Sequence, residues 1–373
     1  MKAKPISAST YSSAFIDENG SMWACGRNQF GELGFRDSTA RHRIEKVDFQ
    51  NIDLPIFSIA MAKFSTLILD IDGSVFGGGR NFHGELGLGH NTQLKVFRQI
   101  LNIPKIICID AGMEHAIFLD EEHNIWCAGQ NTEGQLGLGD TKQRNTLTKN
   151  DLLLKKTRSI FCGAQLTMAI DEENEVWYFG KRVGLEIGDH YLIGLPTKII
   201  NLQTTISFIA CGKNFILLLD TEGKVWACGN NKKGQLGLGN TAQVQGLICV
   251  NTLPPIQHVA CGLKHSIFLD REGNTWACGS NELGQLGFST KKDFTTPTKH
   301  DNLPPIIFIE CGSNHSIFMD EHRTLWVCGC SYFGRIGVTT KADVFTPTKL
   351  DYLPPLVDPR INENYKIKNA RNL

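Results

Sequence analysis

The chain carries no surplus of charge of either sign. Among its 373 residues, 38 are Lys or Arg and 38 are Asp or Glu, so the formal net charge is zero. Nucleic acids and anionic lipid surfaces attract proteins that have an excess of basic residues. Nucleic acid is therefore not an expected partner, and only a local charged patch could change that expectation.

Long apolar runs are missing as well. No run approaches the roughly 18 to 20 apolar residues that a membrane helix requires. The N-terminal MKAKPISASTYSSAF lacks the apolar segment of a secretory signal, and the C-terminal KIKNARNL has no cysteine for prenylation. We expect neither membrane insertion nor a lipid anchor.

The cysteines lack the spacing of a metal site or a disulfide framework. No C-x-x-C pair occurs among the twelve. Eight of them occupy two recurring positions, one just before a Gly and one two residues after a Trp: Cys162, Cys211, Cys261 and Cys311, then Cys25, Cys228, Cys278 and Cys328. Because free Cys behaves as a small hydrophobic residue, we expect buried thiols, no metal and a reducing, cytoplasmic location.

What the chain has in abundance is one repeated pattern. All six tryptophans and one phenylalanine occupy the same place in it: Trp23, Phe76, Trp126, Trp177, Trp226, Trp276 and Trp326. Successive copies are 53, 50, 51, 49, 50 and 50 residues apart, and an Asp stands six residues before each aromatic residue. A period near 50 residues is typical of repeat arrays and propellers.

Each copy contains short apolar segments separated by turn residues, as in IQHVACG, HSIFLD, NTWACG and a segment near Thr296 to Lys299. Four short strands in each of seven copies predict an all-β fold, a seven-bladed β-propeller that forms one domain over residues 1–373. The N-terminal KPIS and the C-terminal LPPLVDP both resemble an innermost strand. We therefore expect the terminal strands to close the ring, with residues 356–373 as a tail or closing segment.

The glycine-rich segments such as WACGNNKKGQLGLGN resemble a phosphate-binding loop only superficially. The pattern occurs seven times, no G-x-x-x-x-G-K-[ST] is present, and Phe82 occupies the last Gly position of a G-x-G-x-x-G match. We expect no cofactor and no direct nucleotide binding. The recurring His115, His265 and His315 are interpreted as buried residues bonded to neighbouring backbone, and the recurring Asp residues as turn caps.

The patterns [AC]-G-x-x-H-[ST]-x-x-L-D, W-x-x-G-x-N-x-x-G-Q-L-G and P-T-K extend over residues 5 to about 355. They resemble the repeat of the regulator of chromosome condensation family, which implies a seven-bladed propeller. The best-known member is a guanine-nucleotide exchange factor for the small GTPase Ran that also docks on chromatin. The resemblance implies a small GTPase of the Ran or Rab class, or another protein, as the partner.

Two functions stay open on this resemblance. The first is binding to a small GTPase as an exchange factor, and the alternative is a scaffold or adaptor that docks another protein or chromatin without exchange. An enzyme with its own hydrolytic or redox site has little support in the sequence. The Asn-, Lys- and Ile-rich repeats would fit a bacterial effector in a host cytosol, and a nuclear location is a further alternative.

The resemblance also implies that the G-x-x-H loops face a GTPase. The candidate partner-binding residues at these loops are Tyr11, Phe64, Glu114, Lys213, Lys264 and Asn314. Glu114, Lys264 and Asn314 are expected to be exposed. In the fourth copy, KRVGLEIGDHYLIGLPTK departs most from the pattern and adds Tyr191 as a second candidate.

Overall fold

The protein is described from a computed structural model, which covers residues 4–49, 52, 54–185, 193–200, 202–340, 342–350 and 352–360. Seven four-stranded antiparallel sheets follow one another along the chain. This confirms the predicted seven-bladed β-propeller. Among the described residues, no helix is long and apolar enough to cross a membrane.

Each blade consists of four consecutive strands. Blades 1 and 2 are β1 (Ile6–Ala8), β2 (Ser12–Ile16), β3 (Met22–Gly26), β4 (Arg41–Lys46), and β5 (Ile56–Met61), β6 (Ser65–Asp70), β7 (Val75–Gly79), β8 (Leu94–Gln99). Blades 3 and 4 are β9 (Ile106–Ala111), β10 (His115–Asp120), β11 (Ile125–Gly129), β12 (Arg144–Lys149), and β13 (Thr157–Cys162), β14 (Leu166–Asp171), β15 (Val176–Gly180), β16 (Thr197–Lys198).

The remaining three blades repeat the arrangement. Blades 5 and 6 are β17 (Ile206–Cys211), β18 (Phe215–Asp220), β19 (Val225–Gly229), β20 (Val244–Cys249), and β21 (Ile256–Cys261), β22 (His265–Asp270), β23 (Thr275–Gly279), β24 (Phe294–Lys299). Blade 7 is β25 (Ile306–Cys311), β26 (His315–Asp320), β27 (Leu325–Gly329) and β28 (Val344–Leu350). The predicted fourth strand near Thr296 is therefore β24.

The first strand of every blade lines a central channel. The strands β1, β5, β9, β13, β17, β21 and β25 contact one another in a ring. They enclose a cavity of about 960 Å³. The antiparallel order places the Gly-x-x-His loops and the Asn-x-x-Gly loops at one end, which we call the loop face, and the Asp turns at the other, which we call the turn face.

Segments from near both ends of the sequence meet in blade 1, as the sequence predicts, while residues 361–373 of the predicted tail lie outside the described residues. Leu356 pairs with Asp17, and the amide of Val357 donates to the carbonyl of Ile16 at 3.0 Å. Next to this contact, the amide of Ile16 donates to the carbonyl of Pro5 at 2.8 Å. The innermost strand of blade 1 is therefore composite, and both termini contribute to it, which removes a free sheet edge.

The Asp residue of each repeat caps a turn, and in the six repeats that have a Trp six positions later it also accepts a hydrogen bond from that indole. Oδ1 of Asp270 accepts from the amides of Glu272 and Asn274 at 3.0 and 2.8 Å, and Oδ2 accepts from the indole of Trp276 at 3.1 Å. The same Asp–Trp hydrogen bond recurs at Trp23, Trp126, Trp177, Trp226 and Trp326. The fixed six-residue spacing thus has a structural cause, and the turn-cap prediction is confirmed.

The leucine of the Gly-x-Leu-Gly segment is fully buried between blades. The buried copies are Leu33, Leu86, Leu136, Leu236, Leu286 and Ile336, while the copy at position 187 lies outside the described residues. The Gly at the end of each Trp strand has a positive φ, 104° at Gly279, and a Cβ there would lie 2.5 Å from the carbonyl of Lys264. The left-handed backbone and the close approach of the neighbouring strand therefore explain why this position is glycine.

All twelve cysteines are described, and they are free thiols. The copies that follow Trp are buried, as expected, at Cys25, Cys228, Cys278 and Cys328. Of the copies before Gly, only Cys311 is buried as expected. Cys162, Cys211 and Cys261 line the channel and are partly exposed there. Burial raises the pKa of all these thiols, so they remain protonated and poorly nucleophilic.

Candidate functional site

The loop face is held rigid by the Asn of the N-x-x-G segment. In blade 1, Oδ1 of Asn28 accepts from the amide of Leu33 at 2.9 Å, and its Nδ2 donates to the carbonyl of Asp37 at 3.2 Å. The same pair of contacts recurs at Asn81, Asn131, Asn231 and Asn281. Because the Asn side chain closes the loop, the residues between Asn and Gly are free to face solvent.

In blades 3, 6 and 7, the recurring histidine links the blade to the next one at this level. Nε2 of His115, His265 and His315 lies 3.1, 3.1 and 2.9 Å from the hydroxyl of Thr167, Ser316 and Ser13. Each hydroxyl donates to a backbone carbonyl, so it accepts from the histidine Nε2–H. The histidines are buried as predicted, but their partners are hydroxyls of the following blade rather than neighbouring backbone.

Burial lowers the pKa of these histidines, to about 4 at His115 and about 3 at His265. They are therefore neutral at physiological pH and serve as structural links between blades. The Gly of each Gly-x-x-His loop makes room for the ring, since a Cβ at Gly262 would lie 2.1 Å from the Cε1 of His265.

A partly exposed cluster of aromatic and arginine side chains occupies the loop face of blades 7, 1 and 2. We call it the aromatic–arginine patch, and it consists of Tyr11, Arg27, Phe30, Phe64, Arg80, Phe82, Tyr332 and Phe333. The rings of Tyr11 and Phe64 stack with centroids 5.8 Å apart, and Phe30 contacts Phe64 and Phe82 edge to face at 5.4 and 5.9 Å. Phe82 and Tyr332 are 51% and 63% exposed.

Two arginines lie among these rings. The guanidinium carbon of Arg27 is 4.8 to 5.8 Å from four ring centroids, those of Tyr11, Phe30, Phe64 and Phe333. Arg80 lies 4.6 Å from the centroid of Phe64. These distances are within the range of a cation–π interaction, so the patch is fixed before any partner arrives.

Glu114 adjoins the patch from blade 3. It forms a short hydrogen-bonded ion pair with Arg80, and its carboxylate lies 3.4 Å from Nε2 of His83. Its side chain is only 19% exposed. The expectation that Glu114 is exposed was therefore wrong: the carboxylate is paired with Arg80 and lies beside His83, both from blade 2.

The structure brings together three of the candidates from the sequence and separates the others. Tyr11 and Phe64 belong to the patch, and Glu114 lies beside it. Lys213, Lys264 and Asn314 lie in the corresponding loops of blades 5, 6 and 7, with Lys213 one position earlier than the other two. Both lysines are exposed, as expected for Lys264, but Asn314 is partly buried, contrary to expectation. Tyr191 lies outside the described residues.

Sequence reasoning missed the second loop of each blade. Arg27, Phe30, Arg80, Phe82 and the pair Tyr332–Phe333 all come from the C-G-x-N-x-x-G segment. The signal was available, because only copies 7, 1 and 2 carry aromatic residues between the Asn or Ser and the Gly. These copies become neighbours once the ring closes.

The channel contains a second group of charges. Nζ of Lys4 lies 3.6 Å from Oε1 of Glu310 and 4.0 Å from Oδ1 of Asp110. Burial alone would lower the pKa of Lys4, but Glu310 and Asp110 raise it above its ordinary value. Lys4 therefore connects blade 1 with blades 3 and 7 across the channel, and we interpret the group as structural.

One group of carboxylates among the described residues has the spacing of a cation site. Oxygens of Asp171, Glu173 and Glu175 lie within 4.8 Å of one another. Asp171 already accepts from two amides and from the indole of Trp177, while Lys155 and Lys198 pair with the two glutamates. These carboxylates are committed to a turn, and we assign no metal to them.

Two models of the Regulator of chromosome condensation (RCC1) repeat match the chain. One matches residues 122–170, 222–269 and 272–319, and the other matches residues 106–135, 206–235, 256–285 and 306–335. Together they cover just over half of the chain. The matched segments contain the Gly-x-x-His loops of blades 3, 6 and 7 and the Asn-x-x-Gly loops of blades 3, 5 and 6.

Curated relatives match over part of their length. The X-linked retinitis pigmentosa GTPase regulator of Homo sapiens is 32% identical over 234 residues, which are 60% of this chain and 22% of that protein. The probable E3 ubiquitin-protein ligase HERC4 of Rattus norvegicus is 25% identical over 306 residues, 65% of this chain and 28% of that protein. The chain thus spans less than a third of these relatives.

Solved structures share the architecture. Prp20p from Saccharomyces cerevisiae, described with its binding properties to Gsp1p and histones, superposes with a TM-score of 0.81 at 20% identity and covers 100% of this chain and 96% of that chain. Human WBSCR16 has a TM-score of 0.76 at 19% identity, with 85% and 86% coverage. At these identities the likeness supports the fold.

Proposed function

Because the chain belongs to the Regulator of chromosome condensation (RCC1) repeat family, we propose that it binds a small GTPase of the Ran or Rab class through its loop face. The observation that carries this proposal is the aromatic–arginine patch, since Tyr and Arg contribute disproportionately to binding at protein interfaces. A relative that is 32% identical is described as a GTPase regulator, which favours a GTPase as the partner.

We further propose that the bound GTPase exchanges its nucleotide faster. Such an activity involves no covalent step. The propeller would bind the nucleotide-free GTPase more tightly than the nucleotide-bound form, and this difference in affinity would shift the equilibrium towards nucleotide release. Because Glu114 is already paired with Arg80, the activity would depend on the docking surface as a whole rather than on one free carboxylate.

The second candidate is a scaffold that docks a protein or chromatin without exchange. The engagement of Glu114 favours it, because Glu114 is the one acidic residue among the predicted contact positions of the Gly-x-x-His loops. The HERC4 relative also favours a scaffold. The part of that protein that matches this chain is only 28% of its length, so the propeller there is one part of a much larger protein.

A panel of purified Ran, Rab and Rho GTPases separates the two functions. Binding of the propeller to each GTPase is measured in the nucleotide-free, GDP and GTP-analogue states, and release of a fluorescent nucleotide is followed in parallel. Tightest binding to the nucleotide-free state with faster release supports exchange. Binding without faster release supports the scaffold, and no binding to any GTPase contradicts the proposal.

A further inference from the structure

The aromatic–arginine patch is not required by the fold, because other blades build the same loops without it. In blades 3 and 5, a neutral pair of side chains closes the loop: Nε2 of Gln135 donates to Gln130, and Nε2 of Gln235 donates to Asn230, both at 3.2 Å. In blade 1, Glu32 stands at the position of this Gln and still accepts a hydrogen bond from the amide of Phe30 at 2.8 Å. The arginines and aromatic rings of blades 7, 1 and 2 are therefore additions to a loop that closes without them.

The backbone of blade 7 also indicates that the patch is an addition that the fold does not require. Phe333 has a φ of 64°, a left-handed conformation that is unfavourable for a bulky side chain. Strain of this kind is typical of binding sites, where the surrounding structure enforces it. Here Arg335 supports the loop from beneath, donating to the carbonyls of Tyr332 and Thr10 at 2.9 and 2.8 Å.

The charge of the patch is positive at its centre. Arg80 has two carboxyl partners: Glu85, whose Oε1 lies 3.5 Å from its Nε and whose pKa burial also raises, and Glu114. Arg27 has a weaker counter-charge, since burial raises the pKa of Glu32 to about 7. Among the described residues, neither the Nε of Arg27 nor the Oε1 of Glu32 has a hydrogen-bond partner.

A second cation reinforces this imbalance. Nζ of Lys63 lies 4.8 Å from the centroid of Phe64, on the side of the patch that faces blade 3. A carboxylate from outside would find the guanidinium of Arg27 and the ammonium of Lys63 beside apolar rings, where the low local dielectric strengthens an ion pair.

A nucleic acid fits this surface less well than a protein does. Stacking rings and arginines also occur in single-strand binders, but these add a basic groove that follows the phosphates. Here the net charge of the chain is zero, and Glu32, Glu85 and Glu114 lie in or beneath the patch. The surface therefore offers one site for a carboxylate rather than a path for a backbone of phosphates.

We infer that the aromatic–arginine patch receives a segment of the protein partner that presents Asp or Glu side chains next to apolar ones. This inference rests on the proposed function in one respect only, that the partner is a protein bound on the loop face. The stacked rings supply apolar contact area that is already ordered, and Arg27 and Lys63 supply the selectivity for a carboxylate.

The test uses the full chain and three fluorescent probes of about equal length. These are a peptide that alternates Leu or Phe with Glu, the same peptide with Lys in place of every Glu, and an oligo(dT) strand. We expect the Glu peptide to bind at least tenfold more tightly than either of the other probes. Equal binding of both peptides, preferential binding of oligo(dT), or no binding of the Glu peptide would overturn the inference.

Variants taken from the chain's own repeats test the residues. The double variant Arg27→Gln, Glu32→Gln recreates the neutral pair of blade 3, and we expect it to reduce the preference for the Glu peptide, with Lys63 accounting for what remains. Phe64→Gln, the residue of blade 4 at this position, should weaken binding at least fivefold. The matched controls Thr132→Ala and Lys232→Ala change the same loop in blades 3 and 5 and should bind as the parent does.

The peptide assay separates the two proposals because it requires no GTPase. If the Glu peptide binds as expected but no GTPase does, the patch assignment stands and the proposed function fails. If a GTPase binds and the two patch variants bind it as tightly as the controls do, the patch assignment fails and the proposed function stands.

Discussion

His315 and Ser13 join the last blade to the first, with Nε2 of the histidine 2.9 Å from Oγ of the serine. Both side chains are fully buried, and the serine hydroxyl in turn donates to the carbonyl of Arg335 at 2.7 Å. The same residue types make the same link inside the ring, between His265 and Ser316. The closure of the ring therefore reuses the contact that holds neighbouring blades together.

We predict that stability falls on acidification because these histidines are buried in the neutral form. Burial lowers the folded-state pKa of His115 and His265 from 6.5 to about 4 and about 3. Stability is therefore fully present above pH 6.5 and is lost below it, where only the unfolded chain takes up the proton. Each such histidine should remove up to about 1.4 kcal/mol per pH unit from the free energy of unfolding.

Urea titrations at pH 7.5 and pH 5 measure this effect, and His265→Phe isolates one residue. Phe215 fills the same position in blade 5 and is fully buried there, so the replacement has a precedent in the chain. The variant should lose less stability than the parent between the two pH values. An unchanged pH dependence would show that His265 does not control it.

We predict that Trp276→Phe raises the pKa of Asp270 and destabilises blade 6 by about 1 to 2 kcal/mol. Burial alone would raise this pKa, but the indole of Trp276 and the Asn274 groups lower it. In blade 2, Phe76 has no N–H to donate, and burial raises the pKa of Asp70. Carboxyl titration by NMR and urea unfolding measure the two effects.

The lowered pKa of Asp270 determines how this stability difference changes with pH. The carboxylate of Asp270 contributes stability above its unfolded-state pKa of about 3.9, and the contribution is lost as the pH falls through the folded value. The difference between parent and Trp276→Phe should therefore be largest near pH 7 and small near pH 2. A difference that does not change with pH would point to lost packing instead of the hydrogen bond.

We predict that Leu356→Ala weakens the closed ring by about 2 to 5 kcal/mol. Leu356 is fully buried in the core shared by blades 7 and 1, and it carries the pairing with Asp17. Leu154 lies in a comparable connection between blades and is 89% exposed, so Leu154→Ala should change stability by less than about 0.5 kcal/mol. Equal urea midpoints for the two variants would contradict the closure by residues 355–357.

We predict that Lys4→Met lowers the melting temperature because it leaves Asp110 and Glu310 without their cation. Lys4 is 35% exposed to the channel, so solvent screening limits the loss to about 1 to 3 kcal/mol. Burial raises the pKa of both carboxyls, so acid neutralises them more readily in the folded protein. The deficit of the variant against the parent should therefore shrink between pH 7 and pH 5, and a constant deficit would contradict this reading.

The fold was predictable because its signal is local and repeated. The Asp–Trp spacing, the turn glycines and the apolar segments each act within about fifty residues, and seven copies in phase leave one architecture. The closure was predictable for the same reason, since LPPL near Leu356 copies the start of an inner strand such as that before Ile306.

The candidate site was predictable only in part because it depends on contacts between distant copies. Tyr11 and Phe64 were found from their loop position, but Phe333 reaches Tyr11 only after the ring closes, with ring centroids 6.0 Å apart. The pairing of Glu114 with Arg80 likewise joins two loops of different blades. No pattern within one repeat indicates either contact.

The most direct test of the account is hydrogen–deuterium exchange of the propeller, measured alone and in complex with a GTPase that binds it in the panel of Ran, Rab and Rho proteins. The account predicts protection on the loop face of blades 7, 1 and 2, in the backbone around Tyr11, Arg27, Phe64, Arg80 and Tyr332. Protection confined to the turn face, around Asp120 and Asp270, or to the loops of blades 4 to 6, would contradict it.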